Sequence, residues 1–152
     1  MEFTKKDLNK TLWVKPGDME KNRKWYKLDA TGKILWRLAV DVARLLLGKH
    51  KAYYADFRDA GDNVLVENID KIKVTGNKLE AKIYHTYSGF KGNVRDITLG
   101  TLLQKDPAKV LQLVVRGMLA KNKLRDKRLK RLKIVTWTDT KYDHFKPINL
   151  YK

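Results

Sequence analysis

The fold of this chain is decided by the stretch WYKLDATGKILWRLAVDVARLLLG, residues 25–48. Residues 25–28 predict a short strand, and the turn DATG at residues 29–32 ends it. From Ile34 to Leu47 the apolar residues recur at helical spacing and charged residues form the opposite stripe, which predicts an amphipathic helix. Gly48 then supplies the residue type that most often ends a helix.

Four later segments carry strand patterns. In NVLVE, residues 63–67, the central residues are apolar on both faces, as a strand covered by helices on each side requires. Residues 71–75 and 81–87 also predict strands, and the second alternates as an edge or half-exposed strand does. KIVTW, residues 133–137, predicts the last strand of the sheet.

Two more helices are predicted between these strands. Residues 97–105 carry a weak helical pattern, and Asp106 followed by Pro107 provides an N-cap and a proline at the first helical position. The helix that begins there has one apolar face, formed by Val110, Leu111, Val114, Val115 and Met118. Strands that alternate with helical crossovers predict a small α/β domain with a largely parallel sheet.

The length of 152 residues predicts one domain. Residues 1–22 are polar with a Pro16-Gly17 turn and are interpreted as an extended N-terminal arm. Residues 23–137 form the single α/β domain, and residues 138–152 a polar C-terminal tail.

The charge is strongly one-sided. The chain has 34 Lys and Arg residues against 17 Asp and Glu, a formal net charge of +17. Residues 121–133, the basic segment, carry eight Lys or Arg side chains and only Asp126 against them. Such a surplus repels itself unless a polyanion neutralises it or solvent screens it, and nucleic acid is the commonest polyanionic partner.

Other features narrow the class of protein. The absence of cysteine excludes disulfides and thiolate metal sites. The N-terminus MEFTKKDLNK has no signal-peptide hydrophobic region, and no apolar run approaches the length of a membrane span. We therefore expect a soluble, intracellular protein.

Six blocks of sequence resemble the family of bacterial large-subunit ribosomal protein thirteen. VVRGMLAKNKL, residues 114–124, is similar to the family signature V-x-G-M-L-P-x-N-x-L. RKWYKLDATGK, RLAVDVARLLLGKHK, GDNVLVEN, KIKVTGNKL and YSGF follow the family's order and spacing, and FKP near the end resembles its C-terminal Q-K-P. The resemblance covers the chain from about Lys15 to Pro147.

This resemblance implies a function. It implies a three-layer α/β/α domain around a four-stranded, mostly parallel sheet, with no catalytic activity, no cofactor and no metal. The implied partners are large-subunit (23S-type) rRNA and neighbouring large-subunit ribosomal proteins, with no membrane, no small-molecule substrate and no homo-oligomer. The implied role is early incorporation into the subunit, in the cytoplasm or in an organellar ribosome.

The sequence departs from the family pattern at several positions. Ala120 stands where the family has proline, Trp36 and Val40 replace a glycine and a serine, and Thr86 and Tyr87 replace an arginine and a histidine. We therefore carry no functional role onto Thr86 or Tyr87.

Charge, position and the resemblance together select the expected rRNA contacts. They are Arg23, Lys24, Arg37, Lys49, His50, Lys51, Arg116, Lys121, Asn122, Lys123, Arg125, Lys127, Arg128, Lys130, Arg131 and Lys133. Arg37 has the alternative of pairing with Asp41 one turn later. Trp25 and Tyr26 are expected in the core rather than on RNA.

Two other functions compete with rRNA binding. Asp56, Asp59 and Asp62 lie within seven residues and could hold Mg²⁺ in an enzyme that acts on nucleic acid. The basic segment could instead be a helix that binds a membrane surface or calmodulin, although its apolar face holds only leucines.

Overall fold

The computed structural model describes residues 16–137 and 140–150. In chain order its elements are α1 (Pro16–Lys21), β1 (Trp25–Asp29), α2 (Leu35–Leu47), β2 (Asn63–Glu67), a 3-10 helix (Ile69–Lys71), α3 (Lys78–Ala81), β3 (Ile83–Tyr87), β4 (Val94–Thr98), α4 (Leu99–Lys105), α5 (Pro107–Met118), α6 (Leu124–Lys130), β5 (Leu132–Ile134), a second 3-10 helix (Thr140–Phe145) and β6 (Ile148–Asn149).

The unit β1-α2-β2 forms as its sequence predicts. Gly48 adopts the left-handed conformation (φ 81°) and its N–H donates to the carbonyls of Arg44 and Leu45, both at 3.1 Å, so it ends α2. The apolar stripe of α2 is buried, and β2 returns parallel to β1 with Asn63 opposite Trp25. The crossover helix therefore brings two consecutive strands side by side.

The central sheet has the order β5-β2-β1-β6, and all three strand pairs are parallel. Helices cover it in a three-layer α/β/α arrangement, which confirms the predicted fold class. The three central residues of β2 are fully buried, as their apolar character on both faces predicts. The core joins these strands to the apolar faces of α2 and α5.

Asp106 and Pro107 begin α5 as predicted. The Asp106 carboxylate accepts a hydrogen bond of 2.9 Å from the N–H of Lys109, and proline occupies the first turn. Val110 and Val115 on the apolar face are fully buried, whereas Met118 at the end of the same face is exposed.

At both edges of the sheet the observed strands differ from those that the sequence predicts. The strand predicted at residues 133–137 is shorter and lies at Leu132–Ile134. The last strand is β6, which lies within the residues predicted to form a polar tail and pairs with β1. In the same tail, the Phe145 ring stacks on Trp25 with ring centroids 4.4 Å apart. A two-residue edge strand is too short to show a hydrophobic period, so its partners rather than its own pattern determine it.

The strand predicted at residues 71–75 was wrong. A 3-10 helix occupies Ile69–Lys71, and only one isolated parallel bridge follows, between Ile34 and Lys73. Leu35 begins α2 directly after Ile34, so the partner backbone turns away before a ladder can extend. Residues 81–87 do contain a strand, β3, which pairs antiparallel with β4 in a separate and largely exposed hairpin.

Candidate nucleic-acid interface

The amino-terminal ends of β1, β2 and β5 gather much of the predicted basic surface. Because the strands are parallel, the residues that precede them lie at one edge, which we call the amino edge. Backbone hydrogen bonds join those residues: Asn63 N–H donates to the Lys24 carbonyl at 3.0 Å, and Val64 N–H donates to the Arg131 carbonyl at 3.1 Å. The α2 helix also ends here, so residues 48–51 lie beside them.

A buried carboxylate organises the loop after α2. The side chain of Asp62 is fully buried and accepts hydrogen bonds from Lys51 Nζ at 2.5 Å, from His50 Nε2 at 2.8 Å and from the Lys24 backbone N–H at 2.9 Å. An ionised carboxylate only accepts hydrogen bonds, so when Asp62 is ionised the Nε2 atom of His50 is the donor in this contact. Asp62 thus sets the positions of two predicted RNA-contacting side chains and of the backbone of a third.

Two glycines allow this loop to approach α2 closely. A Cβ on Gly61 would lie 1.8 Å from the Leu46 carbonyl oxygen, and one on Gly48 would lie 2.7 Å from the Ala60 carbonyl oxygen. The approach lets the N–H of Asp62 donate to the Leu45 carbonyl at 3.2 Å. The acidic loop and the end of α2 therefore form one packed structure.

A second carboxylate, Asp59, receives three guanidinium groups. Arg131 grips it with both terminal nitrogens, with Nη2 2.6 Å from Oδ1. Arg23 Nη2 lies 3.3 Å from Oδ2, and Arg128 Nε lies 3.7 Å from Oδ1. One carboxylate thus draws together the residues before β1, the loop before β2 and the basic segment.

The cluster changes the acidity of Asp59. Burial by itself raises the pKa of this carboxyl group, but the hydrogen bond from Arg131 and the charges of Arg131, Arg23 and Arg128 outweigh burial. Its pKa is therefore lowered from the ordinary value of 3.8, so Asp59 stays ionised at neutral pH.

The basic segment divides into an inner and an outer set. Arg128 is 1% exposed and donates to the Arg58 carbonyl at 3.0 Å, and Arg131 is also buried and donates to the Leu46 carbonyl at 3.3 Å. Leu129 and Leu132 are buried beside them. The outer set is exposed and consists of Lys121, Lys123, Lys127, Lys130 and Lys133.

The side-chain types explain this division. A guanidinium has five donors in a planar fork that can satisfy a carboxylate and carbonyls together, whereas an ammonium is a strongly hydrated point charge that stays in water more readily. Arg128 and Arg131 therefore attach the segment to the domain. The lysines, attached to the same backbone, remain available to a partner.

The remaining predicted contacts lie in different places. Arg116 is exposed and borders a shallow cavity together with Lys130, so it extends the surface of the basic segment. Arg125 is half-buried, and the Asn122 side chain is used locally, where it accepts from the Leu124 N–H at 3.1 Å. Arg37 is exposed in the first turn of α2, at the opposite end of that helix from the amino edge. Lys49 is exposed at the amino edge.

Sequence reasoning did not find the positioning roles of Asp59 and Asp62. One signal for the inner arginines was present: Leu124, Arg128 and Arg131 are spaced i, i+4, i+7, which places them on the same helical face. Their burial depends on carbonyl acceptors 70 and 85 residues away in the chain, which no local pattern shows.

The three carboxylates considered for Mg²⁺ have separate partners. Asp56 accepts from the Tyr54 hydroxyl, Asp59 from arginines, and Asp62 from Lys51 and His50. Within residues 16–137 and 140–150 no group of three or more His, Asp or Glu side chains is arranged to hold a metal ion. Nor is any helix in that part of the chain long and apolar enough to cross a membrane.

Comparison with known proteins gives consistent matches along the chain. The family described as ribosomal protein L13 matches residues 23–141. A large ribosomal subunit protein uL13 from Thermotoga petrophila is 42% identical over 140 residues, or 92% of this chain and 93% of that protein. Proteins of the same name from Borreliella burgdorferi and Aquifex aeolicus are 39% and 44% identical, covering 93% and 91% of this chain and 96% and 94% of their own lengths.

Proposed function

This chain belongs to the ribosomal protein L13 family, whose members are structural components of the large ribosomal subunit and not enzymes, and from that premise we propose that it binds large-subunit rRNA through the amino edge and the outer lysines of the basic segment. The observation that carries the proposal is the division of the basic segment. Buried arginines and leucines hold it on the domain, and five exposed lysines remain on one short stretch.

The proposed contacts follow from accessibility. They include the outer lysines together with Lys24, Lys49, Arg116 and Arg37. Arg128 and Arg131 act indirectly, because their guanidinium groups are already bonded inside the protein. Arg23, His50 and Lys51 are partly engaged by carboxylates and contact RNA only with the exposed part of their side chains.

The binding energy comes mainly from phosphate contacts. Each lysine that neutralises a phosphate releases condensed counterions, so the affinity falls as the salt concentration rises. Folded rRNA brings several backbones close together, and a compact cationic surface lowers their mutual repulsion. Such a surface reads the shape and backbone of the RNA more than its base sequence.

A five-lysine variant tests the proposal directly. Lys121, Lys123, Lys127, Lys130 and Lys133 are changed to glutamine, and binding to a large-subunit rRNA transcript is measured as a function of salt. If each lysine neutralises one phosphate, the log-log salt slope becomes shallower by about 3.5–4.5. The matched control changes five exposed lysines elsewhere to glutamine: Lys71, Lys73, Lys82, Lys91 and Lys105.

The control variant separates specific contact from general charge. Both variants lose five positive charges, so a slope that depends only on net charge changes equally in both. The proposal requires a markedly larger change in the basic-segment variant. Equal slopes would exclude the basic segment as the main contact.

We also propose that the protein is located in the ribosome, contacts neighbouring large-subunit proteins and joins the subunit early in assembly. Support comes from its family and from a surface suited to compacting RNA. Pulse-labelling of assembly intermediates tests the timing: the protein should sediment with the earliest large-subunit precursors, and its appearance only in mature subunits would contradict early incorporation.

A further inference from the structure

An open cavity of about 600 Å³ lies beside the amino edge, between the residues before β1 and the loop after α2. Its lining includes Lys21, Lys24, Tyr26, His50, Lys51 and Tyr53. We propose that this cavity receives one unpaired nucleotide of the bound RNA, its base against the aromatic rings and its phosphate on the lysines. The inference rests on the proposed rRNA-binding function and names the part of the RNA that enters this site.

The aromatic rings provide the surface for a base. The rings of Tyr26 and His50 meet edge to face, with centroids 5.6 Å apart at 80°. Tyr53 borders the same cavity, and Lys51 Nζ lies 5.8 Å from the centroid of its ring. Unpaired bases in RNA stack on rings of this kind, with little dependence on which base is present.

The cationic side chains at the cavity differ in whether a carboxylate of the protein already pairs with them. Lys51 is paired with Asp62, and Arg23 with Asp59. Within residues 16–137 and 140–150, Lys21 and Lys24 form no ion pair. Among the residues that the structure describes, these two ammonium groups are therefore the lining cations that a phosphate can neutralise without breaking an ion pair.

Buried bonds hold the cavity in shape before any ligand arrives. Asp62 binds the side chains of His50 and Lys51 and the backbone N–H of Lys24, so three lining residues share one fully buried anchor. Preorganised walls lower the entropy lost on binding.

The size and chemistry of the cavity favour a nucleotide over other anions. Its volume falls within the roughly 300–1,000 Å³ typical of small-molecule sites, which is too small for a duplex. A bare phosphate would leave the rings unused, whereas a nucleotide uses both the rings and the ammonium groups. Folded rRNA presents such unpaired nucleotides in its loops and bulges.

The test uses the full 152-residue chain and a 5′-phosphorylated single-stranded RNA pentamer with 2-aminopurine at its centre. Binding is followed by the fluorescence of the 2-aminopurine, which stacking quenches. Two competitors are compared: an unlabelled pentamer, and the same pentamer with an abasic central position. We expect the abasic competitor to be about tenfold weaker, in line with the contribution of one stacked base.

Protein variants locate the site. Tyr53→Ala should weaken binding of the pentamer about tenfold, and Tyr53→Phe should restore it because the ring rather than the hydroxyl stacks the base. Lys24→Gln should weaken binding and make its salt dependence shallower. The control is Tyr87→Ala, which removes a tyrosine that is 62% exposed on the β3–β4 hairpin, and it should bind as the unchanged protein does.

The outcomes separate this inference from the proposed function. The abasic competitor changes only the ligand, so the comparison holds even if a variant fails to fold. Equal binding of the two competitors, or equal binding by the Tyr53→Ala and Tyr87→Ala variants, would overturn the nucleotide site. The result of the five-lysine experiment on long rRNA is independent of these outcomes, because none of its lysines lines this cavity.

Discussion

Replacing Asp59 with asparagine removes the charge that holds three guanidinium groups together while keeping the size of the side chain. Asp59 has only 17% of its side chain exposed, and Arg131 and Arg128 beside it have 10% and 1%. Removing one partner of a buried ion pair leaves an uncompensated charge, which destabilises a protein by about 3–5 kcal/mol. We therefore expect Asp59→Asn to lower the free energy of unfolding strongly, although it changes only one functional group.

The contacts of Asp59 place the expected destabilisation near the lower end of the range of about 3–5 kcal/mol. Arg131 makes two charge-assisted hydrogen bonds to Asp59, each of which contributes about 1.5–3 kcal/mol. Asparagine keeps one acceptor oxygen, and Arg128 and Arg131 keep their backbone carbonyl acceptors. The free energy of unfolding should fall by about 3 kcal/mol, which corresponds to a melting temperature lower by about 6–12 °C in a chain of this size.

The assay is urea unfolding followed by tryptophan fluorescence, with thermal unfolding as a second measure. The control is Asp96→Asn, which alters the contact between Asp96 and His85 on the exposed hairpin, where the two side chains are 56% and 65% exposed. A pair of this kind contributes about 0–1 kcal/mol. If Asp59→Asn destabilises the protein no more than Asp96→Asn, Asp59 does not anchor the basic segment.

Three further predictions concern pH, close packing and helix capping. The pKa of Asp59 is lowered in the folded protein, so its contribution to stability is complete above the unfolded-state pKa near 3.8 and is lost as the pH falls through the folded-state pKa. The unfolding midpoints of the unchanged protein and the Asp59→Asn variant should therefore converge only in that acidic range. Convergence near neutral pH would contradict this. Gly61→Ala should destabilise the protein by more than about 2 kcal/mol or prevent folding, since its Cβ would overlap the Leu46 carbonyl. In urea unfolding, Gly117→Ala should be neutral or stabilising by up to about 1 kcal/mol, since its added Cβ meets nothing within 4 Å outside the backbone of its own helix. Asp106→Ala should cost about 1 kcal/mol through loss of the N-cap, measured the same way, while Asp106→Asn should keep most of the stability.

The exposed hairpin shows what a strand pattern leaves open. Residues 81–87 alternate as an edge or half-exposed strand does, and β3 is an edge strand, but it belongs to a separate two-stranded sheet whose Tyr87 is mostly exposed. Alternation reports the chemistry of two faces and does not state what covers either of them. The departures of Thr86 and Tyr87 from the family pattern fall on this exposed strand.

The sequence by itself determined the β1-α2-β2 unit, the end of α2 at Gly48, the capping of α5 and the strong positive charge. Those features depend on hydrophobic period, on residue conformational preference and on composition, all of which are local or additive properties. Only the tertiary structure decided which cations are available, because the burial of Arg128 and Arg131 depends on a carboxylate and on carbonyls far away in the chain. The same folding places Asp62 beneath His50 and Lys51, since a parallel sheet brings the starts of separate strands to one edge.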